Sequence, residues 1–307
     1  MDNFIYFDFD FNKNANKYIS INIIGGLGNQ LFQIATAYAY SIKNNKKLIF
    51  KYSEKLENSY NLDRRSFWNT LFNNKLNVLT VREYMNIPFY IYNEKKNYIY
   101  NEIPTIDNNI LLSGYYQSFK YLENEKTTRN FLRHLVYSSE KYMYNAYNLY
   151  NSIKEYFSKN TNHKCLDDDI VSMHFRRTDY ILTPNNYHNT LDINYYINAL
   201  HIVDRNCIVI FSDDIEWCKN NITDNLFKKK VFLYFVDINN VEMEFILLSF
   251  IKHNIISNST FSLMASYISF YNTKKIIVAP SKWISDLQEK EFGNINEIYH
   301  SDMTNII

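Results

Sequence analysis

Cysteine is scarce in this chain. Cys165, Cys207 and Cys218 are the only three among 307 residues, an odd number with no close spacing. That argues against a disulfide framework and against a zinc site built on cysteine. Long apolar runs are missing too: no stretch of about 18 apolar residues, the length a membrane-spanning helix needs, occurs. Charge of one sign is also lacking. Lys plus Arg number 33 against 32 Asp plus Glu, for a formal charge of +1. Such a chain has no electrostatic footprint for sequence-blind nucleic-acid binding, so any anion is held at a local site. The opening segment MDNFIYFDFDFNKN carries no basic stretch ahead of its apolar residues and does not read as a signal peptide. The expected setting is a reducing, cytoplasm-like compartment.

Glycine (5) and proline (4) are rare, whereas Tyr (28) and Phe (22) abound beside many Asn, Ile and Lys. These abundant residues have A/T-rich codons, so the bias reads as genome composition rather than function. The sequons at Asn221 and Asn258 read as chance in the absence of a secretory signal. With 46% hydrophobic and 21% charged residues the chain can build real cores. Its length suggests two domains.

Ile19 to Ile24 reads as a short buried strand. A glycine turn, Gly25-Gly26-Leu27-Gly28-Asn29-Gln30, follows it, and then a helix over 31–44 with Leu31, Ile34, Ala35, Tyr38 and Ile42 on one broad face. Residues 46–51 form the next strand, which makes this the opening of an α/β layer domain. A strand near 111 and a helix from about Lys120 come next. A helix between Asn145 and Lys164 ends in a polar stretch, 159–164. The expected division lies there, with domains over 1–164 and 165–307. Beyond it strands at 170–176, 207–212, 231–236, 254–257 and 275–279 alternate with helices at 193–204, 215–221, 241–252 and 260–270. That alternation predicts parallel pairing in a doubly wound sheet. Ligands of such sheets lie outside the C-terminal ends of the strands.

Three strand ends carry polar groups. At the first, His174-Phe175-Arg176-Arg177-Thr178-Asp179-Tyr180, alternation puts Ser172, His174 and Arg176 on one face and Met173, Phe175 and Arg177 on the other. Arg176 suits bidentate phosphate binding. The alternative is an Arg–Asp pair that holds the turn, Arg177 with Asp179 first. At the second, Phe211-Ser212-Asp213-Asp214, a carboxylate could accept from a base such as guanine or cap the next helix. The third, Ser257-Asn258-Ser259-Thr260-Phe261-Ser262, opens a helix whose N–H groups could hold phosphate or merely be capped. The order of arginine, carboxylates and Ser/Thr-rich helix start describes a pocket for a nucleotide diphosphate.

These residues resemble a known family. Gly25-Gly26-Leu27-Gly28-Asn29-Gln30-Leu31-Phe32-Gln33 is similar to the N-terminal motif of the family 11 glycosyltransferases, the α-1,2-fucosyltransferases. Gly114-Tyr115-Tyr116-Gln117-Ser118 with Lys120-Tyr121 resembles their next block. The stretch from His174 to Tyr180 resembles their His-X-Arg-Arg-X-Asp motif, and the strand ends at Ser212 and Asn258 resemble the remaining two. The blocks stand in family order over about residues 20 to 280. The resemblance implies a GT-B architecture, two Rossmann-like domains facing across a cleft. It implies an inverting enzyme that needs no metal or other cofactor and moves L-fucose from GDP-β-L-fucose to a glycan hydroxyl. The N-terminal domain would serve the acceptor. The donor would meet Gly28, Asn29, His174, Arg176, Ser212, Asp213, Asp214, Ser259, Thr260 and Phe261. Asp179 or His174 would take the acceptor's proton, with Asp179 ranked first. The chain departs from the pattern at Leu263-Met264, where relatives carry two aromatics, and at Phe119, where an acid is common. Both positions are expected to shape the acceptor side. The missing membrane anchor is like the soluble bacterial or virus-encoded members.

Three alternatives stay open. One is a metal-dependent GT-A enzyme using Asp213-Asp214 or Asp167-Asp168-Asp169; the triple Asp precedes its strand and reads as a polar loop. Another is the same fold with a different nucleotide sugar. The third is a carbohydrate- or nucleotide-binding protein without turnover.

Overall fold

The computed structural model describes residues 12, 14–56, 64–122, 124–182, 188, 190–271, 274–292 and 295–307. The chain forms two compact units. The first contains β1 (Tyr18–Ile21), α1 (Leu27–Lys43), β2 (Lys47–Leu48), β3 (Phe50–Lys51), β4 (Val78–Leu79), α2 (Val81–Met85), β5 (Tyr90–Asn93), β6 (Ile110–Ser113) and α3 (Glu125–Tyr137). The short turn Asn296–Ile298 also belongs to it. Four strands form one parallel sheet in the order β2-β1-β6-β5, and β3 pairs with β4 in a small parallel ribbon. Helix α1 is buried almost all round. It begins at Leu27, behind Gly26 in extended conformation, rather than at Leu31, so Gly28 and Asn29 are helical. Ile42, expected on the buried face, is exposed, because the helix leaves the core at its last turn. Tyr38 stacks on Phe131 of α3 with ring centroids 3.9 Å apart.

The second unit contains α4 (Glu140–Thr161), β7 (Ile170–Phe175), α5 (Thr178–Leu182), α6 (Ile193–Val203), β8 (Cys207–Ser212), α7 (Ile215–Asn221), β9 (Phe232–Phe235), α8 (Val241–Phe250), β10 (His253–Ile255), α9 (Thr260–Ile268), β11 (Ile277–Ala279), α10 (Asp286–Phe292) and β12 (Asn305–Ile306). Its six strands are all parallel, in the order β12-β11-β10-β7-β8-β9. Both faces of the central strands are covered, so β7 is buried along its whole length, Ser172 and His174 included, and β8 is apolar from Cys207 to Phe211. On one face Phe175 stacks on Tyr196 of α6 at 4.0 Å and lies near Trp217 of α7. On the other, His174 stacks on Phe261 of α9, which meets Phe245 of α8 edge-on. The alternation along β7 is therefore the one its sequence predicts.

The division between units falls before α4, at Ser139–Glu140, and not near residue 164. The polar stretch at 159–164 ends a helix, but that helix buries Ala146, Tyr150, Ile153 and Phe157 in the second unit, beside α8 and β9. Strand β12 was not expected; it extends the sheet past β11. Each unit has the parallel α/β layering that a GT-B domain requires. Among the described residues no helix is long and apolar enough to cross a membrane.

Phe157 has no exposed surface. Truncating a buried phenylalanine costs about 3–5 kcal/mol. Phe157→Ala is expected to lower the urea midpoint of the second unit accordingly, with an unchanged slope; a midpoint like wild type would return α4 to the first unit.

Candidate functional site

In the second unit the chain runs from β7 outward through β8 and β9, then returns to place β10 on the other flank of β7. The strand order reverses between β7 and β10. In open parallel sheets that reversal opens a crevice at the C-terminal ends of the two strands. His174, the last residue but one of β7, lies on one side of it and Ser257 follows β10 on the other. The His174 Nδ1 and the Ser257 hydroxyl are 2.7 Å apart. His174 is 4% exposed. Burial is the largest influence on its imidazole, followed by Asp213 acting in the opposite sense, and the pKa is pulled down to about 3. The ring is neutral near pH 7, so it is neither a phosphate-binding cation nor a strong base.

Arg176 lies just past the strand. Its Nη2 donates to Asp179 Oδ2 at 2.7 Å, and its Nη1 is 3.3 Å from Asp213 Oδ2. The guanidinium also lies over the Tyr180 ring, 5.7 Å from its centroid. Burial opposes its charge, but Asp213 and Asp179 outweigh that and raise its pKa. Arg176 and Asp179 are 19% and 14% exposed, so this is not a solvent-screened surface pair. The pairing expected of Arg177 with Asp179 is made by Arg176 instead. The two residues are three apart and the intervening backbone turns into α5. Arg177, on the opposite strand face, lies 3.4 Å from the Trp217 ring centroid and pairs with Asp214 at 3.4 Å.

The two aspartates after β8 divide their work. Asp213 accepts the Arg177 N–H at 2.9 Å, the Thr178 N–H at 3.1 Å and the Thr178 hydroxyl. Burial works against its charge, yet Arg176 and these hydrogen bonds hold the carboxyl below its ordinary value. It fastens the turn that presents Arg176. Asp214 caps α7 by accepting the Trp217 N–H at 3.2 Å, and Ser212 accepts the Asp214 N–H at 3.0 Å. Of the two roles the sequence left open for this edge, the helix cap is made by Asp214, and Asp213 adds a brace on the turn after β7. Ser259 caps α9 and accepts the Phe261 N–H, so Thr260 begins the helix. Leu263 and Met264 have no exposed surface, so their departure from the family pattern repacks the core rather than shaping a sugar site. The sequon at Asn258 is likewise buried, its amide donating to the Trp283 carbonyl at 3.0 Å.

Two groups at this edge went unnoticed in the sequence. Tyr180 donates to the Asn258 carbonyl at 2.7 Å and ties α5 to the loop after β10. Glu244, in the first turn of α8, is pushed up to about 8 by burial and then by Asp213 and Asp237. Tyr180 stood inside a motif. Nothing in the sequence signals the burial of Glu244. The Asp167-Asp168-Asp169 run precedes β7, at the opposite end of the strand. There Lys154 pairs with Asp167, while Lys252, Arg205 and His253 surround Asp168.

Gly28 and Asn29 belong to the first unit. Gly25 has φ +77, and a Cβ there would fall 2.5 Å from Asn29 Nδ2, so this turn requires glycine. Gln30 ties it down by donating to the Gly25 carbonyl at 3.0 Å. Asn29 Oδ1 accepts from Gln117 at 2.7 Å, which joins the first two motif blocks inside one unit. Phe119 packs edge-on against Phe32.

The model of the glycosyl transferase family 11 matches residues 18–303, nearly the whole chain. The chain belongs to this family. As a member it is a glycosyltransferase. It is 27% identical over 305 residues to the O-antigen biosynthesis glycosyltransferase WbnK of Escherichia coli, covering 85% of this chain and 93% of that protein. It is 28% identical over 280 residues to an α-1,2-colitosyltransferase of Escherichia coli, covering 85% and 90%. Among solved structures it is similar to the α-1,6-fucosyltransferase NodZ soaked with GDP-fucose, at 12% identity and a TM-score of 0.49, covering 82% of this chain and 93% of that one.

Opposite pH signatures are expected from the two half-buried acids. Asp213 has a lowered pKa, so its contribution is present above the ordinary carboxylate range and fades as pH falls through its folded value. Asp213→Ala is expected to cost at least about 1–3 kcal/mol at pH 7 and less in acid. Glu244 has a raised pKa, so its ionised form weighs on the fold as pH rises through about 8. Glu244→Gln is expected to stabilise the protein at pH 9 more than at pH 5. Urea unfolding across this range checks both; parallel curves for the two variants would contradict the assignment.

Proposed function

We propose that this family 11 enzyme moves L-fucose from GDP-β-L-fucose to a sugar hydroxyl, forming an α-1,2 linkage to a galactoside with inversion. The observation that carries this reading is the Arg176 guanidinium at the reversal between β7 and β10, beside the capped start of α9. In the transfer the acceptor oxygen bonds to the anomeric carbon. The bond from that carbon to the phosphate oxygen breaks, and its electron pair leaves with GDP. Charge gathers on the diphosphate as the sugar ring becomes electron-poor. Fixed donors aimed at that charge stabilise the transition state. Arg176 offers a rigid fork, and the first N–H groups of α9 near Thr260 point the same partial charge.

The same reading dispenses with a metal. Asp213 and Asp214 are the acids a GT-A enzyme would turn to a cation, and here they hold Arg176, Arg177 and two backbone turns. The acceptor's proton goes to Asp179, which stands beside Arg176; His174, with its pKa near 3, ranks behind it. A second reading keeps this machinery with another nucleotide deoxy-sugar, and similarity to the colitosyltransferase favours it.

Losing one donor aimed at developing charge costs about 10²–10³ in turnover. Arg176→Lys is expected to fall at least that far, because a point charge cannot replace the fork. Activity is expected to persist in excess EDTA. A near-normal Arg176→Lys variant, or loss of activity with EDTA, sinks the mechanism. Asp179→Asn with the wild-type pH–rate profile would discard Asp179 as the base. Turnover of GDP-fucose against GDP-mannose, other GDP-deoxy-sugars and UDP- and dTDP-sugars, with β-galactosides as first acceptors, separates the two donor readings.

A further inference from the structure

Glu94 follows β5 at the C-terminal edge of the first unit's sheet, a half-buried acid that no motif includes. Its two carboxylate oxygens accept two consecutive backbone N–H groups, Tyr115 at 2.8 Å and Tyr116 at 3.0 Å. The loop it holds is forced. Gly114 has φ +152, and a Cβ there would lie 2.4 Å from the Cβ of Glu94 and 2.7 Å from its Oε2. Tyr116 is a fully buried residue with φ +53, a conformation that costs a side-chain-bearing residue energy. The next residue, Gln117, donates to Asn29, and Gln33 of α1 donates to the Gly114 carbonyl at 3.2 Å. An unbroken set of contacts thus runs from the Glu94 carboxylate through the strained turn to the Asn29 amide.

We infer that Glu94 is a positioning residue for the transfer: its carboxylate sets the Tyr115–Gln117 turn and, through Gln117, fixes the Asn29 side chain. The inference rests on the proposed transfer and on the expectation, from the family resemblance, that Asn29 meets the donor. Two adjacent N–H groups need two acceptor oxygens, which only the ionised carboxylate supplies without a hydroxyl pointing at one of them. Burial pushes the Glu94 carboxyl up to about 7, against the pull of the two N–H bonds. The titratable groups that face it are Tyr92 of β5, Tyr116 of the loop and Tyr121 of the turn Phe119–Leu122. All three have raised pKa values, with burial as the largest cause, and stay neutral. Glu94 makes no ion pair among the described residues. Burial makes ionisation costly, but the two N–H bonds favour the ionised form, so while Glu94 stays buried its ionisation tightens the turn.

The test uses the full chain, as wild type and as Glu94→Gln, with two readouts. One is amide hydrogen exchange of residues 114–118, corrected for intrinsic rate, at pH 6 and pH 8. The other is kcat/KM for GDP-fucose across pH 5.5–9. In wild type the loop is expected to be better protected at pH 8 than at pH 6, and kcat/KM to show an acid limb near pH 7. In Glu94→Gln, loop protection at pH 8 is expected to fall about tenfold, the worth of one lost hydrogen bond, while β1 and β6 stay protected. Its kcat/KM is expected to fall at least about as far and the acid limb to vanish. Unchanged loop exchange in the variant, or a retained acid limb, overturns the inference. If the variant does not fold, pH-independent loop exchange in wild type overturns it alone. If wild type turns over no GDP-sugar, the transfer reading fails, and the exchange data still decide whether the carboxylate sets the turn.

Discussion

The C-terminal edge of the second unit's sheet depends on one charged contact, Arg176 held between Asp179 and Asp213. An arginine at the end of a buried strand is costly unless its charge is answered. Here a carboxylate three residues on and a second from the neighbouring strand answer it. Asp213 does more than neutralise. By accepting from the backbone of Arg177 and Thr178 it fixes where the chain turns after β7, and so where the guanidinium points. Tyr180 secures the far side of that turn to the loop after β10. The guanidinium is thus fixed before any ligand arrives, which is what stabilising charge in a transition state requires.

The same economy recurs in the first unit. There a carboxylate, Glu94, captures two backbone N–H groups of a strained turn, and an amide pair, Gln117 and Asn29, carries the placement onward. In both units an acid at the C-terminal edge of a parallel sheet spends its hydrogen-bonding capacity on backbone N–H groups. Acids that appear in motifs are easily assumed to touch substrate. In this chain Asp213 holds Arg176 and the backbone of Arg177 and Thr178, while Asp214 holds Arg177 and caps α7.

Much of this was legible in the sequence where local signals decide the outcome. Strand β8 and helix α7 fall on their expected limits because the apolar run Cys207–Phe211 stops at Ser212 and Asp214 caps the helix after it. The face alternation of β7 also came from period two alone. The largest misses concern partners far apart in the chain. The division was sought at a polar stretch, whereas the buried face of α4 and its partner α8 decide it. Arg177 was expected to pair locally, but Trp217 and Asp214 claim it. Leu263 and Met264 stood out as departures from a motif, and only packing reveals that they are core. Glu94 and Glu244 carry no sequence signal, because the burial that shifts them is a property of the folded surroundings.

The central claim is that a pre-held guanidinium, rather than a metal ion, receives the departing diphosphate. A crystal structure of the chain with GDP addresses it directly. The account predicts phosphate oxygens within hydrogen-bonding distance of Arg176 and of the first N–H groups of α9, with Asp213 still seated on the Arg177–Thr178 backbone. Phosphates bound elsewhere with Arg176 still closed between its two aspartates, or a metal ion between Asp213 and the diphosphate, would contradict it.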